Sequence, residues 1–329
     1  VYFSIDRVKG YGNLSGKDLG KIRVGATVDL ERYDKDDPRD FTLLRKATLA
    51  EMRKGLATKT EWGNVRPTWH VHCSAMARAA LGDRFDIHSA SSDLVFPHNE
   101  NEIAQSVAVT GEPQARVWLH SELVLSGGRK MTYSGDTCVT LPDLAARGWS
   151  PREVRFLLVQ AHYRQPVVLT DERLEASRAT LRRLDEFQSR LASIQGRAPR
   201  LPDLPGWIVE ARDRVRKAML DDVNVSAALA ALFGLVKQVN WVVSRGTLGQ
   251  EDAGDVLSAM RSMDEALGIL LPADALEAAP PGVLDVVERR ARAREARDFA
   301  LADRLRDDLA ASGWIVEDLP SGPHLKRKA

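Results

Sequence analysis

Trp69-His70-Val71-His72-Cys73-Ser74-Ala75-Met76 and Asp93-Leu94-Val95-Phe96-Pro97-His98-Asn99-Glu100-Asn101-Glu102 are the two words on which the reading of this chain turns. Pro97 suits the first turn of a helix, because its missing N–H is one the helix leaves unbonded there. A helix starting at Pro97 places His98 and Glu102 at i and i+4, on one face and about one turn apart. Cys73 is distant in sequence, and a strand–helix–strand course between the words would return it to that face. An imidazole, a carboxylate and a thiolate that converge supply three of the four ligands of a tetrahedral zinc site. The residues alone leave a plainer reading open. A lone Cys is commonly a small buried hydrophobe, and an i,i+4 His/Glu pair commonly lies on a surface.

The chain has 329 residues, 44% hydrophobic and 28% charged, with formal charge +1. That is enough for two or three globular domains, and a near-neutral balance neither supports nor excludes nucleic acid, since local patches decide that. Two cysteines, Cys73 and Cys138, argue against a disulfide framework and for a reducing cytoplasm. No apolar run is read as approaching the ~20 residues of a membrane span, and no signal peptide is visible. The chain opens on Val1, in mid-pattern, which reads as a protein lacking its N-terminal part.

Outward from the two words, Val1 to Ile5 alternates like a short strand, Tyr11 to Gly16 is a turn-rich loop, and Asp34 to Asp40 is a charged connector. Strands are predicted at Phe85–His88, Val117–His120 and Leu123–Leu125, with a helix over Asn101–Thr110. This alternation indicates parallel α/β packing, in which ligands gather at the carboxyl ends of strands. Asp93 follows one such strand, as an acceptor for a substrate ammonium or as a helix cap. Ser126-Gly127-Gly128-Arg129-Lys130-Met131-Thr132-Tyr133-Ser134-Gly135 is a glycine-hinged cationic loop, able to close on a polyphosphate or simply to form a solvated hairpin. From Trp149 the pattern is helical. Ser150-Pro151-Arg152-Glu153 is a capped start, Arg173, Arg178, Arg182, Arg183 and Arg190 read mainly as a solvated, ion-paired face, and Leu229, Leu232, Phe233 and Val236 form a core stripe. After a Pro-rich break at Leu201–Gly206 and a linker at Ala279-Pro280-Pro281-Gly282, a last unit has a helix over Ala291–Leu309. A strand at Trp314–Asp318 and a basic tail, Leu325-Lys326-Arg327-Lys328, complete it.

These words, in this order, resemble the catalytic core of the cysteinyl-tRNA synthetases, a class I family with W-H-x-x-C-S-A-M followed by D-L-x-F-P-H-H-E-N-E. The resemblance implies the second half of a Rossmann-type α/β catalytic domain, followed by a helical tRNA-binding bundle and a small C-terminal unit. The bounds are 1–62 for the remainder of a connective insertion (V-Y-F, Y-G-x-L-S-G), 63–148, 149–280 and 281–329. It implies one Zn2+ on Cys73, His98 and Glu102, with a further family cysteine and an H-I-G-H phosphate motif upstream, so the chain alone is expected not to activate cysteine. A soft thiolate ligates zinc far better than a hydroxyl, and this separates cysteine from serine where an apolar pocket separates them weakly. Trp69 and Asp93 take the positions that close over and orient cysteine. His88, Lys130, Met131, Tyr133 and Ser134 take ATP-binding positions, Lys130 being the catalytic first lysine of the K-M-S-K-S loop, with Mg2+ accompanying ATP.

Three departures stand out. The second K-M-S-K-S lysine is Tyr133, which supplies no cation. The H-G-G-G turn is His88-Ser89-Ala90-Ser91-Ser92, and the second His of P-H-H-E-N-E is Asn99. Expected partners are tRNA-Cys, L-cysteine and ATP, for a cytoplasmic monomer that contacts the tRNA inner corner through the arginine helix and reads the anticodon with its C-terminal elements. The competing readings are a cysteine-activating paralogue that acylates a small amine, as mycothiol-type ligases do, and a non-catalytic tRNA-binding relative.

Overall fold

The computed structural model describes residues 1–18, 20, 39–133, 137–270, 281–319 and 322–327. Asp34 to Pro38 of the connector, Ser134 and Gly135 of the glycine loop, Ala279 and Pro280 of the linker, and Lys328 lie outside the described residues. By contacts the chain forms two compact units, Val1–Leu123 with Arg164–Pro166, and Val124–Tyr163 with Val167–Ala329.

In the first unit the elements are β1 (Tyr2–Phe3), β2 (Phe41–Thr42), β3 (Leu44–Lys46), α1 (Leu49–Arg53), β4 (Thr58–Thr60), β5 (Gly63–Pro67), α2 (Trp69–Leu81), β6 (Phe85–Ser91), α3 (Glu100–Thr110) and β7 (Ala115–Ser121). Strands β6 and β7 run parallel, with His88 opposite Trp118 and Ala90 opposite His120, as the α/β alternation implies. Strand β1 pairs antiparallel with β2 and covers only two of the residues expected to be extended, because Ile5 turns into a 3-10 helix and is buried.

Two local expectations are corrected here. The segment His88–Ser92 is not a turn: β6 continues through Ser91 in register with β7, and Ser92–Leu94 forms a 3-10 turn after it. Side chains with a Cβ favour the extended ladder that glycines would weaken. The helix also starts later than Pro97. Val95–Asn99 is a π-helical turn in which Phe96 is extended (φ −133, ψ 132), and α3 begins at Glu100. The residue before a proline is pushed out of the α region by the ring, so Phe96 interrupts any helix through Pro97.

The first turn of α3 buries four consecutive polar residues, Asn99, Glu100, Asn101 and Glu102, each at most 2% exposed. Unpaired, these would be costly. Glu100 accepts hydrogen bonds from the Gly12 and Ser15 backbone N–H groups at 3.0 and 2.8 Å, and the Tyr11 hydroxyl donates to Asn101 Oδ1 at 2.5 Å. The word Tyr11–Ser15 is thereby tied to the word Glu100–Asn101, about 90 residues away in sequence. Burial, then the charges of Glu100 and Asp40, hold the Tyr11 hydroxyl well above its usual range, so it stays a donor.

The second unit has β8 (Val124–Ser126), β9 (Arg129–Lys130), α4 (Leu141–Ala146), α5 (Pro151–Val159), β10 (Val167–Leu169), α6 (Asp171–Ala192), α7 (Leu204–Leu220), α8 (Val225–Val243), α9 (Gln250–Asp264), α10 (Pro281–Glu295), α11 (Phe299–Ala311), β11 (Trp314–Leu319) and β12 (Gly322–Arg327). Strand β8 is parallel to β10 and antiparallel to β9, so β8 and β9 group with the helices, not with β6 and β7. Helix α5 starts as its sequence indicates: Ser150 caps Glu153 N–H and the Glu153 side chain returns to Ser150 N–H. Helices α5 to α9 share one apolar core that includes Leu229, Leu232, Val236, Phe187 and Met260, with Phe233 packed at its edge. Two arginines of α5 bind the end of the bundle. Arg152 donates to the Ile269 carbonyl and to both Asp185 oxygens, and Arg155 donates to the Leu267 carbonyl.

Helix α8 corrects the reading that no run approaches membrane length. An 18-residue window of it has mean hydropathy 1.4, yet Ala228, Leu232, Leu235 and Val239 are packed inside the bundle while Lys237, Gln238 and Trp241 are exposed, so its apolarity is that of a helix burying one broad face in a core. The single helix expected over Ala291–Leu309 is two. Arg297 is left-handed at φ +59 and Asp298 caps α11 by accepting from Leu301 N–H, since an Asp side chain competes with helical continuation. The basic tail is also strand: Leu325 to Arg327 belong to β12, paired antiparallel with β11.

Two outcomes test this packing. Leu232→Ala, at 1% exposure, should lower unfolding free energy by about 2–5 kcal/mol, whereas Val209→Ala, at 58%, should change it by under about 0.5 kcal/mol; chemical denaturation measures both. Glu100→Ala should speed amide exchange at Gly12 and Ser15 while leaving exchange in α8 unchanged, read by hydrogen–deuterium exchange.

Candidate metal centre and substrate site

Helix α2 delivers Cys73, and the π-turn and first turn of α3 deliver His98 and Glu102. One ligand atom from each lies within 4.8 Å of the others. The chain between the two words runs helix, strand β6 and turn, rather than strand–helix–strand, and packing of α2 on α3 closes the gap. His98 Nε2 is 3.8 Å from Glu102 Oε2, although His98 precedes the helix proper.

The electrostatics suit a cation. Glu102 is wholly buried, and burial pushes its carboxyl up to about 7 against the pull of the Asn99 hydrogen bond. Asn99 Nδ2 donates to Glu102 Oε2 at 2.8 Å, while Glu102 Oε1 has no partner. Of the four buried polar residues at the head of α3, this is the one with a buried side-chain atom left unmet among the described residues. Burial, then His70 and His88, push the His98 pKa down, so the imidazole is neutral near pH 7 and has a lone pair to offer. Burial, then the Glu102 charge, push the Cys73 thiol up. A divalent cation would reverse the cost for both anions. Sulfur, imidazole nitrogen and carboxylate oxygen are donors that zinc accepts together, so these residues fit that ion.

Around this cluster, Trp69 opens α2 at 66% exposure, with its ring centroid 5.2 Å from that of His98. His70 points elsewhere, placing Nε2 2.8 Å from the Thr42 carbonyl and 2.9 Å from Thr68 Oγ1. His88 Nε2 lies 3.6 Å from Glu102 Oε2, and its ring stacks on Trp118 at 4.3 Å. Asp93 is exposed on the 3-10 turn beyond β6, and the N-cap position of α3 is Asn99. Sequence reading passed over His120, whose Nε2 is 3.1 Å from Asn99 Oδ1. Nothing in its strand pattern separates it from an ordinary half-buried histidine.

Lys130, Met131 and Tyr133 belong to the second unit. Lys130 ends β9 with its side chain exposed, and its carbonyl accepts from Thr137 Oγ1. Met131 packs on the cluster of Leu144, Val154, Leu157, Leu169 and Leu174, and Tyr133 is 96% exposed. Ser134 lies outside the described residues. On α6, Arg178 is bound to Glu153 and lies over Trp149, and Arg182 faces Glu186 at 3.9 Å, the ion-paired face expected there.

Comparison with known proteins agrees with this geometry. Residues 1–179 match the model of the class I (C) tRNA synthetase catalytic domain, and residues 214–271 match the DALR domain. The chain is 40% identical over 330 residues to a cysteine--tRNA ligase of Chlamydia pneumoniae, covering 99% of this chain and 69% of that protein. It is 38% identical to the cysteine--tRNA ligase of Solibacter usitatus, covering 100% and 70%, and 37% identical to that of Geobacillus thermodenitrificans, covering 99% and 69%. With one family model over more than half its length and relatives 37–40% identical across 99–100% of it, the chain belongs to the cysteine--tRNA ligase family of class I aminoacyl-tRNA synthetases.

Proposed function

We propose that this protein joins L-cysteine to tRNA-Cys with ATP, and that Cys73, His98 and Glu102 hold a zinc ion at the cysteine site. The observation that carries this reading is the convergence of three donor atoms within 4.8 Å beside a buried carboxylate oxygen with no partner. Zinc bound there supplies an open, soft coordination position for the substrate sulfur, which a serine hydroxyl fills poorly. Trp69, next to His98, closes over the amino-acid side chain, and Asp93 takes the ammonium. Lys130, with Mg2+ on ATP, neutralises charge that develops on the departing pyrophosphate, with His88, Met131, Tyr133 and Ser134 completing the nucleotide contacts. Adenylate formation is then mainly positioning and electrostatics.

The match to a DALR domain favours tRNA over a small amine as acceptor. Arg183 on α6, whose Nη2 bonds only as far as Thr180 Oγ1 at 3.3 Å, is offered to tRNA phosphate. The four-part organisation with bounds at 62, 148 and 280 is part of this proposal, as are a monomeric state and a cytoplasmic setting, with Cys73 and Cys138 kept as thiols.

At its full natural length the protein should show cysteine-dependent ATP–pyrophosphate exchange and charge tRNA-Cys. Exchange without tRNA charging, but with acylation of a small amine, would overturn the choice of acceptor. Metal analysis should find one zinc per chain, lost in Cys73→Ala; unchanged content would remove the ligand assignment. Tyr133→Lys should raise the exchange rate by on the order of tenfold if the missing cation limits it.

A further inference from the structure

We propose that Asn99 is a positioning residue for the metal: its amide holds one oxygen of Glu102 and so fixes how the carboxylate faces the ion, and His120 sets which way that amide faces. The inference rests on the zinc reading above. It starts from the one place within Pro97–Glu102 where the chain departs from the family word.

Asn99 is wholly buried, and both ends of its side chain are engaged. Nδ2 is 2.8 Å from Glu102 Oε2, and Oδ1 is 3.1 Å from His120 Nε2. The Asn99 NH2 is the end that donates to Glu102, which turns Oδ1 towards β7. There it needs a donor, so His120 carries its hydrogen on Nε2. Burial, then Arg164, push the His120 pKa down, in keeping with a neutral ring that holds this single tautomer.

The consequence falls on Glu102. A buried carboxylate free to rotate could present either oxygen to Cys73 and His98. With Oε2, which lies 3.8 Å from His98 Nε2, held by the amide, the carboxylate is kept in one orientation, while Oε1 has no partner among the described residues. A neutral amide does this without bringing a charge, so the carboxylate keeps its negative charge for the metal. Partners of metal ligands of this kind typically change affinity by 10–100-fold when removed. His88, 3.6 Å from Glu102 Oε2, is too far to replace the amide's hydrogen bond.

The test is zinc affinity by competition with a chromophoric chelator, paired with the Co2+ absorption spectrum and thermal melting as a fold control. Asn99→Ala should weaken zinc binding by about 10–100-fold and alter the Co2+ bands. Asn99→His, whose ring N–H can donate to Oε2, should restore binding to within about threefold of the parent, a recovery that a mere packing defect would not show. His120→Ala should also weaken binding, and His120→Gln, which can still donate to Oδ1, should not. Parent-like affinity and spectrum in Asn99→Ala overturn the proposal; if that variant does not fold, the same result in His120→Ala does. Weakening that Asn99→His fails to reverse marks packing alone and overturns it too. Cys73→Ala measured alongside separates the readings. Zinc lost there but unaffected in Asn99→Ala removes only the positioning role, whereas zinc unaffected in both removes the zinc assignment as well.

Discussion

A carboxylate with no exposure to water is the constraint around which the first unit is arranged. Glu102 sits at the head of α3 in a run of four buried polar residues, where each unmet hydrogen-bonding atom costs free energy of order 1–3 kcal/mol. Glu100 and Asn101 are met by the backbone and hydroxyl of a distant loop, Asn99 by Glu102 and His120, and Glu102 by Asn99 on one side only. The remaining oxygen has no partner among the described residues. Cys73, His98 and Glu102 each bring one ligand atom within 4.8 Å of the others.

This arrangement explains why two sequence words far apart travel together. In Tyr11-Gly12-Asn13-Leu14-Ser15 the Gly12 and Ser15 backbone N–H groups donate to Glu100, and the Tyr11 hydroxyl donates to Asn101. One half without the other would leave either a loop without anchorage or two buried polar side chains without partners. The same three residues, Glu100 to Glu102, thus divide their work. Two hold the loop, and the third, one position on and turned round the helix, faces Cys73.

Much of this was legible from residues. The capping box at Ser150, the core stripe of α8, the parallel β6–β7 pair and the convergence of Cys73, His98 and Glu102 all follow from local patterns or from the family words. What went astray did so where two local signals competed. Pro97 reads as a helix start, but its ring forces Phe96 into extended geometry and the helix waits until Glu100. Ala291–Leu309 resembles the family's single C-terminal helix, but Asp298 supplies a better cap than it does an interior residue, and Arg297 is left-handed. Lys326 and Arg327 read as a solvated tail, whereas their backbone completes a two-stranded ladder with β11.

Sequence by itself determined the donor types and their order and, through the long ordered words that carry them, the family; the spacing alone left a buried cysteine and a surface His/Glu pair open. Only tertiary structure decided which atoms meet. The packing of α2 on α3 and of β6 beside β7 brings His88 up to the same carboxylate as His98, and buries Asn99 between Glu102 and His120. Hydrogen-bond donors and acceptors are assigned by neighbours in space. A histidine on one strand and an asparagine before a helix carry no mark in sequence of being partners until the fold places them 3.1 Å apart.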